Sequence, residues 1–475
     1  MCNRLLFLFI VLIPAYLKAV PDVSLDIQRF ISGNTSFAEV TLYIVGSSLN
    51  CPAGSNDYGV EYTILIQDQN AKIITGNHFR LITSGCPAKD LIDVKRFVLE
   101  PGIYIIDIEM TDIHDSLNTV EISQQTEIEA RDSTIYLSDI QLLSVIRNES
   151  DGTSALHKSG LYLEPLPFRY YYPALDRLSV YVETYDTDKL PGQPYIQYTI
   201  KPAKGEIPEP ITAFRKVNRQ PVSANVFQLD IQSLISGPYL FETTLFDGNK
   251  KQISSRQISF SRYNPIGDSL YIASGSLNLD ASFIKSIPED SLDYYLKAMA
   301  PIVNSINVDI MNVLLKKGSA KTKQFFIHRY WTEASGKYAD QAFAAYMKVA
   351  KVVDDNYRSG FGYGFETDRG HIFLKYGRPD NIIDVEDEPS APPYEIWFYN
   401  NFPATHQNNV RFLFYNPSLA KNDYKLLHST AIGEIKNERW EVELYKDATL
   451  ETPGVNEKVM GDNVHRNARN YFENY

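Results

Sequence analysis

The chain has 475 residues, 44% hydrophobic and 22% charged, a balance that excludes a disordered polymer, a collagen and a coiled-coil rod and suggests about three domains. Its formal charge of −12 repels phosphate backbones, so nucleic acid is a poor partner. With 32 Tyr and 24 Phe against 6 Met and 3 Cys, the composition favours pleated surfaces, where aromatic side chains pack well.

The chain opens on an address. Arg4 precedes an apolar run over residues 5–16, and Leu17 and Ala19 fit the −3 and −1 positions of a cleavage site. This predicts a signal peptide over residues 1–19 and an exported chain, in the periplasm or at the cell surface. The run is too short for the ~20 residues that span a bilayer, and no later stretch is long and apolar enough. Cys2 stands ahead of the run, where a lipoprotein cysteine would follow it. After export, Cys51 and Cys86 are expected to pair, the alternative being two buried free thiols. Closing about 35 residues is worth roughly 3–4 kcal/mol in the chain-entropy treatment.

Residues 20–130 read as short strands, β-branched and aromatic runs such as 40–45 and 62–66 divided by Gly, Asn, Ser and Pro. Residues 158–262 read the same way, with 180–185 and 195–200 as the best strands. Gly102-Ile-Tyr104 leads through an apolar run to Asp112, and Gly237-Pro-Tyr239 leads likewise to Asp247. A turn Gly, a strand and a turn Asp fit a late hairpin strand of an immunoglobulin-like sandwich. Two tandem all-β immunoglobulin-like sandwiches are therefore expected, joined by a linker at 131–157.

A helical segment is expected over 265–360. Ser291 can cap a helix over 294–299, and Asn307 or Asp309 can start one ending at Lys316-Lys317-Gly318. Ser319 can cap a third, carrying Phe325, Phe326, Arg329 and Trp331. A fourth, over 337–357, would bury Ala342, Tyr346, Val349, Val353 and Tyr357. Residues 361–475 then form an α+β domain. In it, 371–376 is expected as a strand, and Pro393 opens another with Ile396 and Phe398 on one side and Glu395, Trp397 and Tyr399 on the other.

Gly364-Phe-Glu-Thr-Asp-Arg-Gly370, Gly377-Arg-Pro-Asp380 and Pro393-Tyr-Glu-Ile-Trp-Phe-Tyr399 follow one another in order. This set resembles the GWxTD domain, a family of exported bacterial proteins with no settled activity, over about residues 265–475. Phe365 stands where the motif has Trp. Phe325, Phe326 and Arg329 resemble a second stretch of the family, with Tyr330 where Asp is usual. The resemblance implies β-sandwich sequence ahead of the domain and an exported setting.

Two readings of the motif stay open. One is a buried polar knot tying a turn to a sheet. The other is a binding surface formed by Glu366, Thr367, Asp368, Arg369, Asp380, Glu395 and Trp397. Chemistry is sparsely signalled. The eight His are scattered, no zinc or nucleophile-elbow signature occurs, and Gly360–Gly364 follows a helix rather than a strand, so neither metal nor cofactor is expected. Glu366 and Asp368, with His371 nearby, could act as acid and base in a hydrolase. Tyr170 to Tyr172 could stack on a glycan, and the acidic run 384–388 reads as a solvated loop. The leading expectation is a non-enzymatic adaptor of the cell envelope, meeting an envelope or outer-membrane complex.

Overall fold

The computed structural model describes residues 21–446 and 466–474, apart from 34, 53, 131–135, 150, 151, 153, 204–208, 275–278, 280, 281, 304, 361, 389, 390, 404, 406 and 438. The expected signal peptide at 1–19 lies outside the described residues. The chain forms five sheets, a helical segment and a C-terminal β domain.

The first β unit runs through β1 (Val23–Ser32), β2 (Thr35–Ile44), β3 (Asp57–Asp68), β4 (Ile73–Ser84), β5 (Leu91–Val98), β6 (Gly102–Asp112) and β7 (Asp115–Ile128). Its sheets have the orders β1-β2-β5 and β4-β3-β6-β7. Alternation decides the core: Val40, Leu42 and Ile44 of β2 meet Val60, Tyr62 and Ile64 of β3 and Ile106 and Ile108 of β6. Cys51 and Cys86 are disulfide-bonded, with Cα atoms 6.1 Å apart, so the β2–β3 and β4–β5 connections are clipped together.

The second unit runs through β8 (Gln141–Asn148), β9 (His157–Lys158), β10 (Leu161–Pro165), β11 (Tyr170–Tyr171), β12 (Arg177–Tyr185), β13 (Tyr195–Pro202), β14 (Ile211–Lys216), β15 (Val222–Asp230), β16 (Gly237–Phe246) and β17 (Gln252–Arg262). Without β9, β10 and β11, its orders β8-β12-β15 and β14-β13-β16-β17 repeat those of the first unit. The paired Gly-x-Tyr segments open the equivalent strands β6 and β16. Tyr104 donates its hydroxyl to the Glu100 carbonyl at 2.9 Å, and Tyr239 donates to the Ile235 carbonyl at 2.8 Å. At the far ends, Asp112 accepts from the His114 amide and Asp247 from the Asn249 amide, both at 2.8 Å.

The expected linker at 131–157 is corrected: it contains β8, which pairs with β10 and β12. Both faces of β8 are covered at its start, over Gln141, Leu142 and Leu143. Leu142 enters the second unit's core, while Leu143 packs with Phe30, Leu163 and Tyr181 between the units. A segment buried on both sides shows no alternation, and the strand ends at polar Asn148. Glu39 of β2 is enclosed at this junction. It pairs with Lys158 at 2.5 Å and Arg96 at 2.9 Å and accepts from Gln141 at 3.2 Å.

Helices follow: α1 (Pro265–Ala273), α2 (Leu292–Met299), α3 (Ser305–Lys317), α4 (Ala320–Ser335), α5 (Ala339–Tyr357) and α6 (Asp368–Tyr376). Sequence reasoning missed α1, which Asn264 caps by accepting from the Gly267 amide at 3.0 Å. Ser319 caps α4 as expected. The buried face of α5 is rotated from the expected one: Phe343, Met347, Ala350, Val353 and Asp354 point inward, while Val349 is exposed. An apolar-only pattern skips Asp354 and so slides around the helix.

The last sheet has the order β18 (Asn381–Val385), β19 (Tyr394–Phe402), β20 (Gln407–Tyr415), β21 (Lys425–Ser429). Helices α7 (Trp440–Leu444) and α8 (Ala468–Asn474) cover one face, where Ile396 and Phe398 lie. Trp397 and Tyr399 occupy the other face, together with Ile372 of α6. Residues 371–376 are therefore helix and not the expected strand. Thr367 caps the segment by accepting from the Gly370 amide at 3.2 Å. Its helical period sends Ile372 to the sheet core and Leu374 to the helical core, so one short helix joins two cores.

Candidate functional site

The motif is a turn between α5 and α6, and it is bounded by two glycines that tolerate no side chain. A Cβ on Gly364 would lie 2.4 Å from the Val353 carbonyl oxygen, and one on Gly370 would lie 1.9 Å from that of Gly364. The turn thus sits backbone-to-backbone on α5 and on itself. Phe365 fills the motif's Trp position. It is buried, with ring centroids 5.2 Å from Tyr294 and 5.1 Å from Tyr363, so an aromatic of similar bulk serves the same core.

Each following side chain reaches a different element. Glu366 is exposed, accepts from the Tyr363 amide at 3.0 Å and pairs with Lys297 of α2 at 3.0 Å. Thr367 caps α6 and donates its hydroxyl to the Gly364 carbonyl at 2.7 Å. Asp368 accepts from the Leu426 amide of β21 at 2.6 Å. Burial pushes its carboxyl above the usual range. Arg369 is 5% exposed and donates to Glu395 of β19 and to Asn422. Its guanidinium also lies 3.9 Å from the Tyr424 ring centroid.

Glu395 completes the knot. Its second oxygen accepts from the indole of Trp397 at 2.8 Å, and Trp397 is wholly enclosed. Asp380 is exposed and accepts from the Asn400 amide at 2.7 Å, closing the turn before β18. The expected surface is therefore corrected in part. Arg369, Glu395 and Trp397 lie inside, because their charges and indole satisfy one another there. Glu366 and Asp380 face solvent, and Thr367 and Asp368 are half-buried.

Three participants escaped sequence reasoning. Asp354 of α5 accepts from the Gly364 amide at 2.7 Å and pairs with Arg358. Asn422 donates to the carbonyls of Asn356 and Arg358, at 3.2 and 3.0 Å, and so covers the C-terminus of α5. Asp354 had a signal, since it continues the Phe343–Met347–Ala350 face; Asn422 had none. Glu388, expected in a solvated loop, is buried and accepts from the hydroxyls of Tyr394 at 2.6 Å and Tyr445 at 2.5 Å.

The arrangement does not bring Glu366 and Asp368 together: one faces Lys297 and the other the start of β21. His371 is held neutral, its pKa lowered by burial and then by the charge of Lys375. Tyr170 and Tyr171 are buried, leaving only Tyr172 of that cluster exposed. Among the described residues, no three His, Cys, Asp or Glu converge as metal ligands, and no helix is long and apolar enough to cross a membrane.

Comparison with known proteins agrees with this geometry in one region. No curated protein matches the chain. Among solved structures that match is red sea bream transglutaminase, at 10% identity, over 51% of this chain and 31% of that chain; its TM-score of 0.17 carries no argument. The match spans about a third of that protein's length. The model of the GWxTD domain matches residues 303–442, from α3 into α7, and so includes the turn, the buried arginine and the sheet that receives it. Residues 303–442 of this chain thus form a region that matches the GWxTD domain.

Proposed function

We propose that the mature chain is an exported, non-enzymatic adaptor of the bacterial cell envelope. One observation carries this reading: the motif's charged groups have internal partners on separate elements, as a framework requires. The C-terminal domain would then be a rigid head, and the two β units would act as spacer and docking faces. Each unit is read as an immunoglobulin-like sandwich. The repeated strand order supports that, as does a tyrosine bonded back to the carbonyl four residues upstream at the start of β6 and β16. The partner would be an outer-membrane or secretion component, met through exposed surface.

Affinity capture of the tagged full-length chain from solubilised envelope, with mass spectrometry, tests the reading. A reproducible envelope partner and a mature N-terminus at residue 20 are the expected results. An uncleaved chain in the cytoplasmic fraction, or no partner above an untagged control, overturns it.

A further inference from the structure

Where the second β unit meets the helices, a cleft of about 330 Å³ opens between β16 and β17 on one side and α3 and α4 on the other. Its polar lining includes Arg262, Asn307, Arg329, Tyr330 and Glu333. The volume falls at the lower end of the range for small-molecule sites.

The two arginines set the chemistry. Arg262 is 3% exposed and donates from one terminal nitrogen to the carbonyls of Tyr172 and Leu175. Arg329 has a side chain 13% exposed, lies 5.5 Å from the Phe326 ring centroid and stands 3.6 Å from a Glu333 oxygen. The Nε–H of Arg262 meets no hydrogen-bond acceptor among the described residues, and the Nε of Arg329 is the atom that faces Glu333 at 3.6 Å, an ion pair beyond hydrogen-bond reach. Buried guanidinium groups are normally satisfied by carboxylates or carbonyls; here two of them line a cleft whose lining carries one carboxylate, Glu333, which leaves a place for an acceptor from outside. Asp268, behind this wall, does not fill the role. Its oxygens already accept from the Ser236 amide at 2.7 Å and hydroxyl at 2.6 Å.

We propose that this cleft binds a small molecule of the amino-acid class. Its carboxylate would meet Arg329 and Arg262, whose planar forks suit carboxylate geometry. Its ammonium would meet Glu333, on the same wall. A dianion such as phosphate would be disfavoured by Glu333.

Calorimetric titration of the full mature chain with the standard amino acids, acetate and inorganic phosphate tests this. At least one amino acid should bind, more tightly than acetate or phosphate. Arg329→Gln should weaken it at least about tenfold, the scale of one charge-assisted hydrogen bond. Glu333→Gln should weaken the amino acid while leaving acetate no weaker. Melting curves check that each variant folds. If Arg329→Gln does not fold, Arg329→Lys, which keeps the charge and loses the fork, should still weaken binding several-fold. No binding by any amino acid at about 10 mM, unchanged affinity in folded Arg329 variants, or tighter binding of phosphate would each overturn the proposal.

Discussion

Arg369 shows how burial alters the meaning of a motif residue. Its partner Glu395 is also enclosed, so removing either charge strands the other in a poorly solvated place. Arg369→Met or Glu395→Gln alone should cost about 3–5 kcal/mol, while the two together should cost much less than the sum of the singles. Urea unfolding of the four-member cycle measures this; additive losses would mean that the pair is not coupled. Loss of a partner in Arg369→Ala would accordingly report an unstable domain and not a lost contact. Two histidines give a pH dependence. Burial lowers the pKa of His328 and, foremost, that of His371 below the ordinary value near 6.5. The folded state then binds fewer protons than the unfolded one. Stability should fall as pH drops below about 6.5, and His371→Gln should flatten that slope. Urea midpoints at pH 7.5 and 5.5 check the sign. The candidate site was legible up to a point. Gly364, Thr367 and Asp368 stand in one short run, but Asp354 and Asn422 arrive from elsewhere along the chain, and no local pattern announces a partner brought in by folding.

At the level of elements, strands were readable wherever one face is wet. β3 and β6 alternate, and their turns are marked by Gly and Asp. The short echo between 102–112 and 237–247 becomes the same strand in two units of equal order. Its Tyr hydroxyls pin the approach to that strand, so Tyr104→Phe and Tyr239→Phe should each cost about 0.5–1.5 kcal/mol, the net worth of one part-buried hydrogen bond. Chemical denaturation of each variant tests the magnitude, and a loss below a few tenths would make the bond dispensable. Helix α6 was misread for a physical reason. Ile, Phe and Tyr within nine residues favour strand on propensity, and its helicity comes from the Thr367 cap and from packing between two cores. β8 failed in the opposite way, being too buried to alternate.

For the whole molecule, the junction between the β units decides whether the chain bends or stands as one piece. Glu39 faces Lys158 and Gln141 across that junction, beside Arg96 of its own sheet, and Arg29 pairs with Asp139 at 2.7 Å. Interdomain contacts are commonly looser and more polar than this one, which also holds Phe30, Leu143 and Tyr181. Glu39→Ala should leave two cations unpaired, cost about 3 kcal/mol or more, and loosen the pair of units. Small-angle scattering should show a larger radius of gyration for that variant, and an unchanged profile would mean that the apolar contact alone sets the angle.

Lys436, just before α7, reaches Glu121 of β7 at 2.6 Å, a contact that joins residues 315 positions apart. An exposed pair of this kind contributes little energy, but it marks where the last domain rests. Synthesis and any passage through a translocon present the β units first and the C-terminal domain last. Glu121 of β7 therefore has to wait for its Lys436 partner until about 315 further residues have emerged. This contact is a timing event, and a chain halted after its helices would lack the Lys436–Glu121 pair of the finished protein.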